Sequence, residues 1–339
     1  MKYRNFYKNY FPEWVNSETN PDNIGNDGQR MFGIPGEDPL VVLEKVFHID
    51  EDSKRETFED KFDQAISGDG QEIARILTLH SSSLLSLMNF WQVSESNPLF
   101  HEGVEYTKVY FERKNNVIPG RKPSNIDIVL VSRDGKTILF LESKFTEYLN
   151  PGKTWVSGAY LPFYKMFESA WHGFIEIGET VTKVKKDKRG QRTETEFALS
   201  SANCRRGEGQ YLAGIKQMIS HLIGIINGPI ESSVNNFHSD YVRDFQKAKT
   251  FKLGTILFSL EKEEECDAYK RYQELYTQCF GSIGLNLCFN ILRELNPHMS
   301  DTRAMYVIEK PLTYQELFKD KNKNLLLPRV QEMYYSKTT

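Results

Sequence analysis

The chain has 339 residues, 39% of them hydrophobic and 26% charged, with a formal net charge of −3. This is an ordinary globular composition, long enough to bury a large core, and no run approaches the roughly 18 apolar residues of a membrane span. The four cysteines, Cys204, Cys266, Cys279 and Cys288, form no CxxC pair and have no nearby histidine at ligand spacing, so neither structural zinc nor a disulfide framework is expected.

In chain order, the N-terminus MKYRNFYKNYFPEW lacks the apolar core and cleavage site of a secretory signal, so a cytoplasmic protein with no membrane partner is expected. Residues 16–40, rich in Asn, Asp, Gly and Pro, read as an irregular arm. Over 71–91, Ile73, Ile76, Leu77, Leu84, Leu87, Met88 and Trp91 recur at helical spacing. VEYTKVYFER (104–113) is rich in β-branched and aromatic residues and predicts a strand.

Next comes SNIDIVLVSRDGKTILFLESKF (124–145), two apolar runs about an Asp-Gly. That dipeptide signals a hairpin with a two-residue type I′ turn. Asp134-Gly135 as the loop would set Val131 against Ile138, Val129 against Phe140 and Asp127 against Glu142. Opposed residues have Cβ atoms about 4.5–5.5 Å apart. Two carboxylates that close repel one another, but they suit a hard cation such as Mg²⁺. Lys144 lies on the same face as Glu142, about 6.6–6.8 Å along the strand. A metal held there could lower the pKa of a bound water, and the lysine could hold that water or stabilise developing charge. Both faces of the hairpin are apolar, the mark of a covered central sheet where charge needs a paired or metal-bound role. A cross-strand ion cluster is the plainer alternative.

Residues 146–208 read as an insertion. It contains a strongly basic loop with Lys183, Lys185, Lys186, Lys188, Arg189 and Arg192, suited to a phosphate backbone or simply to solvent. Residues 209–227 predict an amphipathic helix with a polar stripe of Gln210, Gly214, Gln217 and His221, and 251–260 predict a buried strand. An acidic helix follows near 261–267, and a last strand near 303–309.

Asp127, fourteen residues, then Glu142-Ser143-Lys144 resembles the signature of the PD-(D/E)XK nuclease superfamily, within the order helix, three strands, helix, strand. The overall flavour is similar to bacterial restriction endonucleases. The resemblance covers about residues 70–260. It departs from the family pattern where Ile126, not proline, precedes the acid; the nearest proline is Pro123. It implies an α/β fold with a central mixed sheet flanked by helices, in a restriction-endonuclease-like αβββαβ core over 70–260. A 1–69 arm with a helical extension and a 261–339 extension packed on the core would complete the chain. It also implies a Mg²⁺-dependent endonuclease acting on DNA, with Mn²⁺ able to substitute. Asp127, Glu142 and the Ser143 carbonyl would be metal ligands, Lys144 would serve the attacking water, and Gln217 would approach the site from its helix. Glu112, Glu72 and His221 are additional candidates. Cutting both strands calls for two active sites, hence a homodimer as the expected assembly. A catalytically silent nucleic-acid-binding module of the same fold is the alternative.

Overall fold

The computed structural model describes residues 11–24, 30–68, 72–118, 122–145, 154–170, 175–187, 190–200, 212–230, 236–259, 263–281 and 303–336. Helix α1 (Glu13–Glu18) leads into a short antiparallel pair, β1 (Thr19–Ile24) and β2 (Arg30–Phe32), so the 16–40 stretch is less irregular than its composition predicts. Helix α2 (Pro39–Phe47) begins where the Asp38 carboxylate accepts the Leu40 amide at 2.9 Å, with proline at its first position. Helix α3 (Asp52–Ala65) follows.

The predicted helix over 71–91 is broken in two, α4 (Glu72–Arg75) and α5 (Ser82–Phe90). The chain between them pairs elsewhere. Thr78 bridges Met31, and the Leu77 carbonyl accepts from the Phe32 amide at 3.0 Å. Ser81 then caps the second helix by accepting from Leu84 N. The apolar spacing ran across the break because the link itself buries Ile76 and Leu77, whereas Ile73 in α4 is exposed.

Strands β3 (Leu99–His101), β4 (Val104–Asn115), β5 (Ser124–Ser132) and β6 (Thr137–Lys144) form an antiparallel meander. The insertion folds as β7 (Thr154–Ser157), α6 (Leu161–Ala170), and a hairpin of β8 (Glu176–Asp187) and β9 (Gly190–Ser200). Strand β7 pairs with β9, giving a separate three-stranded sheet. The basic run expected as a loop is therefore the far end of a β-hairpin. Helices α7 (Leu212–Asn227) and α8 (Asn236–Lys247) return the chain to β10 (Thr250–Leu257), which lies parallel to β6. After α9 (Glu263–Phe280), β11 (Ala304–Val307) and β12 (Leu312–Thr313) both pair parallel with β10. The result is a mixed α/β fold around a central seven-stranded sheet in the order β11-β10-β6-β5-β4-β3, with β12 beside β10.

Helix α7 packs on β4, β5, β6 and β10, while α5 packs on β5 and β6. Alternation along β6 sorts the two faces. Glu142 points to α7, whereas the Ser143 hydroxyl meets the Tyr314 hydroxyl at 2.7 Å on the α5 side. Phe145 packs edge-on against Phe258 and Tyr334, so the C-terminal helix Pro328–Tyr335 closes that side of the core. Each large apolar side chain so buried contributes about 1.5–3 kcal/mol.

The hairpin register has Val131 on Ile138, Leu130 on Leu139, Val129 on Phe140 and Ile128 on Leu141. The turn that sets it is not type I′. Only Gly135 has positive φ (69°), and the Gly135 amide donates to the Ser132 carbonyl at 2.8 Å. Ser132 Oγ accepts from Thr137 N, and the Asp134 carboxylate accepts from Lys136 N. Asp134 thus acts as a side-chain cap within a four-residue loop. A four-residue loop here and a two-residue loop with one further pair give the same rungs, so the register survives the different turn.

Candidate functional site

The apolar runs of β5 and β6 end in charge where their ladder ends. The last rung is Ile128–Leu141, one short of the expected Asp127–Glu142 pair. Instead of standing face to face with Glu142 on the ladder, Asp127 accepts the Ser143 amide through Oδ2 at 2.7 Å. A carboxylate has replaced a strand-to-strand backbone bond.

Glu142 has no exposed surface. Lys144 Nζ lies 2.5 Å from its Oε1, and His221 Nε2 lies 2.5 Å from its Oε2. Burial alone would push the Glu142 carboxyl up, but Lys144 and His221 outweigh it and hold the group at about 2. His221 is only 3% exposed, and its Nδ1 is hydrogen-bonded to the Ser124 hydroxyl at the start of β5. Close approach of α7 permits this. A Cβ at Gly224 would lie 3.1 Å from Asn115 Cβ and 3.3 Å from Ser124 Cβ.

Asp127 is in the opposite electrostatic state. Burial raises its carboxyl well above the ordinary value, Glu142 and Glu112 raise it further, and Lys144 and the Ser143 amide pull it back only in part. Glu112 occupies the β4 position between the rungs Phe111–Ile128 and Arg113–Ile126, hence beside Asp127 on the neighbouring strand. It is 8% exposed and holds a left-handed backbone, φ 51°, inside a strand. Such a conformation in a non-glycine residue costs on the order of 1–3 kcal/mol, a reserve of strain found most often at functional positions. Glu72, the first residue of α4, approaches Glu112. A Cβ at Gly68 would meet Glu72 Cδ at 2.6 Å and Glu112 Oε2 at 2.8 Å, so both carboxylates converge on that glycine. Lys114, two residues after Glu112, donates to the Ser67 and Gly68 carbonyls at 3.0 and 3.3 Å.

The sequence candidates divide accordingly. Asp127, Glu142, Lys144 and His221 come together; Glu112 and Glu72 stand along one flank. Ser143 contributes its amide to Asp127. Among the described residues the α7 side chain bonded to Glu142 is His221, whereas Gln217, one turn earlier, is half-buried. The stripe is not a solvated face over its described residues: Gly214 within it, and Gly224 three residues beyond His221, mark the side of α7 that packs closely, because Cβ atoms there would strike Tyr272 and β4–β5. Ser124 was missed, since a serine at a strand start has no pattern of its own. His80 stacks on Phe145 at 5.9 Å, a packing role. Gln210, Lys188 and Arg189 lie outside the described residues, as do the side chains of Lys185, Lys186 and Arg192.

Among the described residues no three His, Cys, Asp or Glu side chains stand together as a ready metal cage, and no helix is long and apolar enough to cross a membrane. No family model, curated protein or solved structure matches the chain. The site sets the carboxylates of Glu112, Asp127 and Glu142 on adjacent strands, with the buried Lys144 ammonium bonded to Glu142.

Proposed function

We propose that the chain is a Mg²⁺-dependent endonuclease that hydrolyses DNA phosphodiester bonds, of restriction or defence type, with Asp127 and Glu142 as the metal-holding carboxylates. The observation that carries this reading is the placement of three carboxylates on adjacent strands: Asp127 on β5 stands between Glu112 on β4 and Glu142 on β6, a crowding that pushes the Asp127 carboxyl up. A protein retains such repulsion in a covered sheet where a cation relieves it. The donor set fits Mg²⁺, which is commonly held by one or two carboxylates with water and substrate phosphate completing its shell. A preformed three-residue cage is not required. The metal would supply a water of lowered pKa and neutralise phosphate charge.

The chain's residues have distinct tasks. Asp127, oriented by the Ser143 amide, presents its remaining oxygen. Glu142 stands on the adjacent strand with its two oxygens bonded to Lys144 and His221. Lys144 would hold the attacking water or stabilise the negative charge on the non-bridging phosphate oxygens as the new P–O bond forms; the attacking water gives its proton to solvent, and the P–O bond to the leaving oxygen breaks with that oxygen taking a proton from solvent. The β8–β9 hairpin supports DNA as substrate. Its register puts Lys185 opposite Arg192 on one rung, an arrangement of like charge that a polyanion stabilises. Double-strand cutting would pair two copies of the chain.

Incubation with plasmid and linear DNA in Mg²⁺ or Mn²⁺ against EDTA tests the reading. Metal-dependent cutting that Lys144→Ala abolishes is expected. Cutting retained by the variant would remove the hairpin from the reaction. One observation favours a second reading, a catalytically silent DNA-binding module: both Glu142 oxygens are already taken by Lys144 and His221. DNA binding without metal binding or turnover would establish it.

A further inference from the structure

Glu142 gives one oxygen to each of two partners, and those partners are built differently. Lys144 reaches Oε1 from two residues along the same strand, through a flexible four-carbon stem whose ammonium can re-aim. His221 reaches Oε2 from a helix pressed against the sheet, with its other ring nitrogen hydrogen-bonded to Ser124. An imidazole tied at both nitrogens cannot turn without losing two buried hydrogen bonds, each costly to leave unmade. Ser124 opens the strand that carries Asp127, so this tie also links the two candidate metal-holding strands through α7.

We propose that Ser124 and His221 form a fixed brace on Glu142 Oε2, while Lys144 is an exchangeable occupant of Oε1 that yields its place when a divalent cation binds. The inference rests on the nuclease reading and adds to it how the site is held ready without metal. A carboxylate that ligates through one oxygen is oriented by a hydrogen bond to the other, which is the part assigned to His221. An ammonium and a divalent cation cannot share Oε1, since like charges a few ångströms apart repel strongly in a buried site. Lys144 therefore leaves Glu142, and its freed donors become available to the water or phosphate. Ser124 and His221 are positioning residues; neither needs to touch substrate.

The two partners should then affect metal affinity in opposite directions, which a merely structural ion cluster would not do. Calorimetric titration of the full chain with Mn²⁺ and with Mg²⁺ tests this, with thermal unfolding to verify that each variant is folded. Lys144→Met keeps the stem and removes the competing charge; it should bind metal about tenfold or more tightly than wild type while losing DNA cutting. His221→Ala should bind about 10–100-fold more weakly. His221→Asn, which retains an amide donor, should recover part of that loss. Should His221→Ala fail to fold, Ser124→Ala leaves the ring in place, frees Nδ1, and should also weaken binding. Tighter binding by His221→Ala, or unchanged or weaker binding by Lys144→Met, overturns the exchange. If those results accompany metal-dependent DNA cutting by wild type, the exchange falls and the nuclease reading stands. If neither wild type nor Lys144→Met binds either ion, both fall together.

Discussion

Glu142 and Asp127 respond to pH in opposite senses, although they end neighbouring strands. Glu142 is held at about 2, against an ordinary 4.5, by Lys144 and His221. Its ionisation therefore stabilises the fold fully above pH 4.5, and that stability is lost as the pH falls through about 2. Glu142→Gln would remove the buried carboxylate charge that Lys144 and His221 share. Urea unfolding at pH 7 should show a loss of about 3–5 kcal/mol. The raised Asp127 carboxyl works the other way: its proton stabilises below the ordinary 3.8, and that contribution is lost as pH rises through the folded value. Asp127→Asn keeps an acceptor for the Ser143 amide and removes the charge. In EDTA at pH 7 it should unfold at a higher temperature than wild type, with a flatter loss of stability from acid to neutral pH; a lower midpoint would contradict the electrostatic account. Asp127, Glu142 and Lys144 were legible in the sequence because charge stood out in strands apolar on both faces. Glu112 was legible as a residue but not as a strained one, since no pattern announces a left-handed glutamate in a strand.

At the scale of the element, the hairpin and α7 set the geometry. Gly135 turns the hairpin with φ 69° and has nothing within 4 Å of its missing Cβ, so Gly135→Ala should cost only the backbone penalty, about 1–2 kcal/mol by denaturant unfolding. Gly224→Ala is a different test. Its methyl would press on Asn115 and Ser124, moving α7 off the sheet and loosening the Ser124–His221 bond, so metal binding as well as stability should weaken. Local elements were readable: β4, the hairpin register and α7 each follow from periods and turn residues within a few positions. The split between α4 and α5 was not, because its cause is Met31 and Phe32, about forty-five residues upstream.

Across the whole molecule, the parallel pairing of β6 with β10 brings the hairpin under α7, and the C-terminal strands extend the same sheet. The order of helix, strands, helix and strand was visible, but these pairings join residues too far apart for sequence periodicity to specify. The insertion is the clearest case. Its basic run read as a loop, yet β-branched and charged residues alternate there and build a β-hairpin with Lys183 bonded to Glu196 at 2.8 Å. Neutralising Lys185, Lys186 and Arg192 together should make the slope of log affinity against log salt shallower by about 2–3 for duplex DNA. An unchanged slope would remove the hairpin from the DNA interface.

The central claim is that one divalent ion joins Asp127 and Glu142, and the most direct measurement is Mn²⁺ titration of wild type and Asp127→Asn by calorimetry at pH 7. One saturable site in wild type, weakened at least tenfold in a variant that is folded and more stable without metal, is the expected result. Equal binding by the two proteins, or none by wild type, would contradict it.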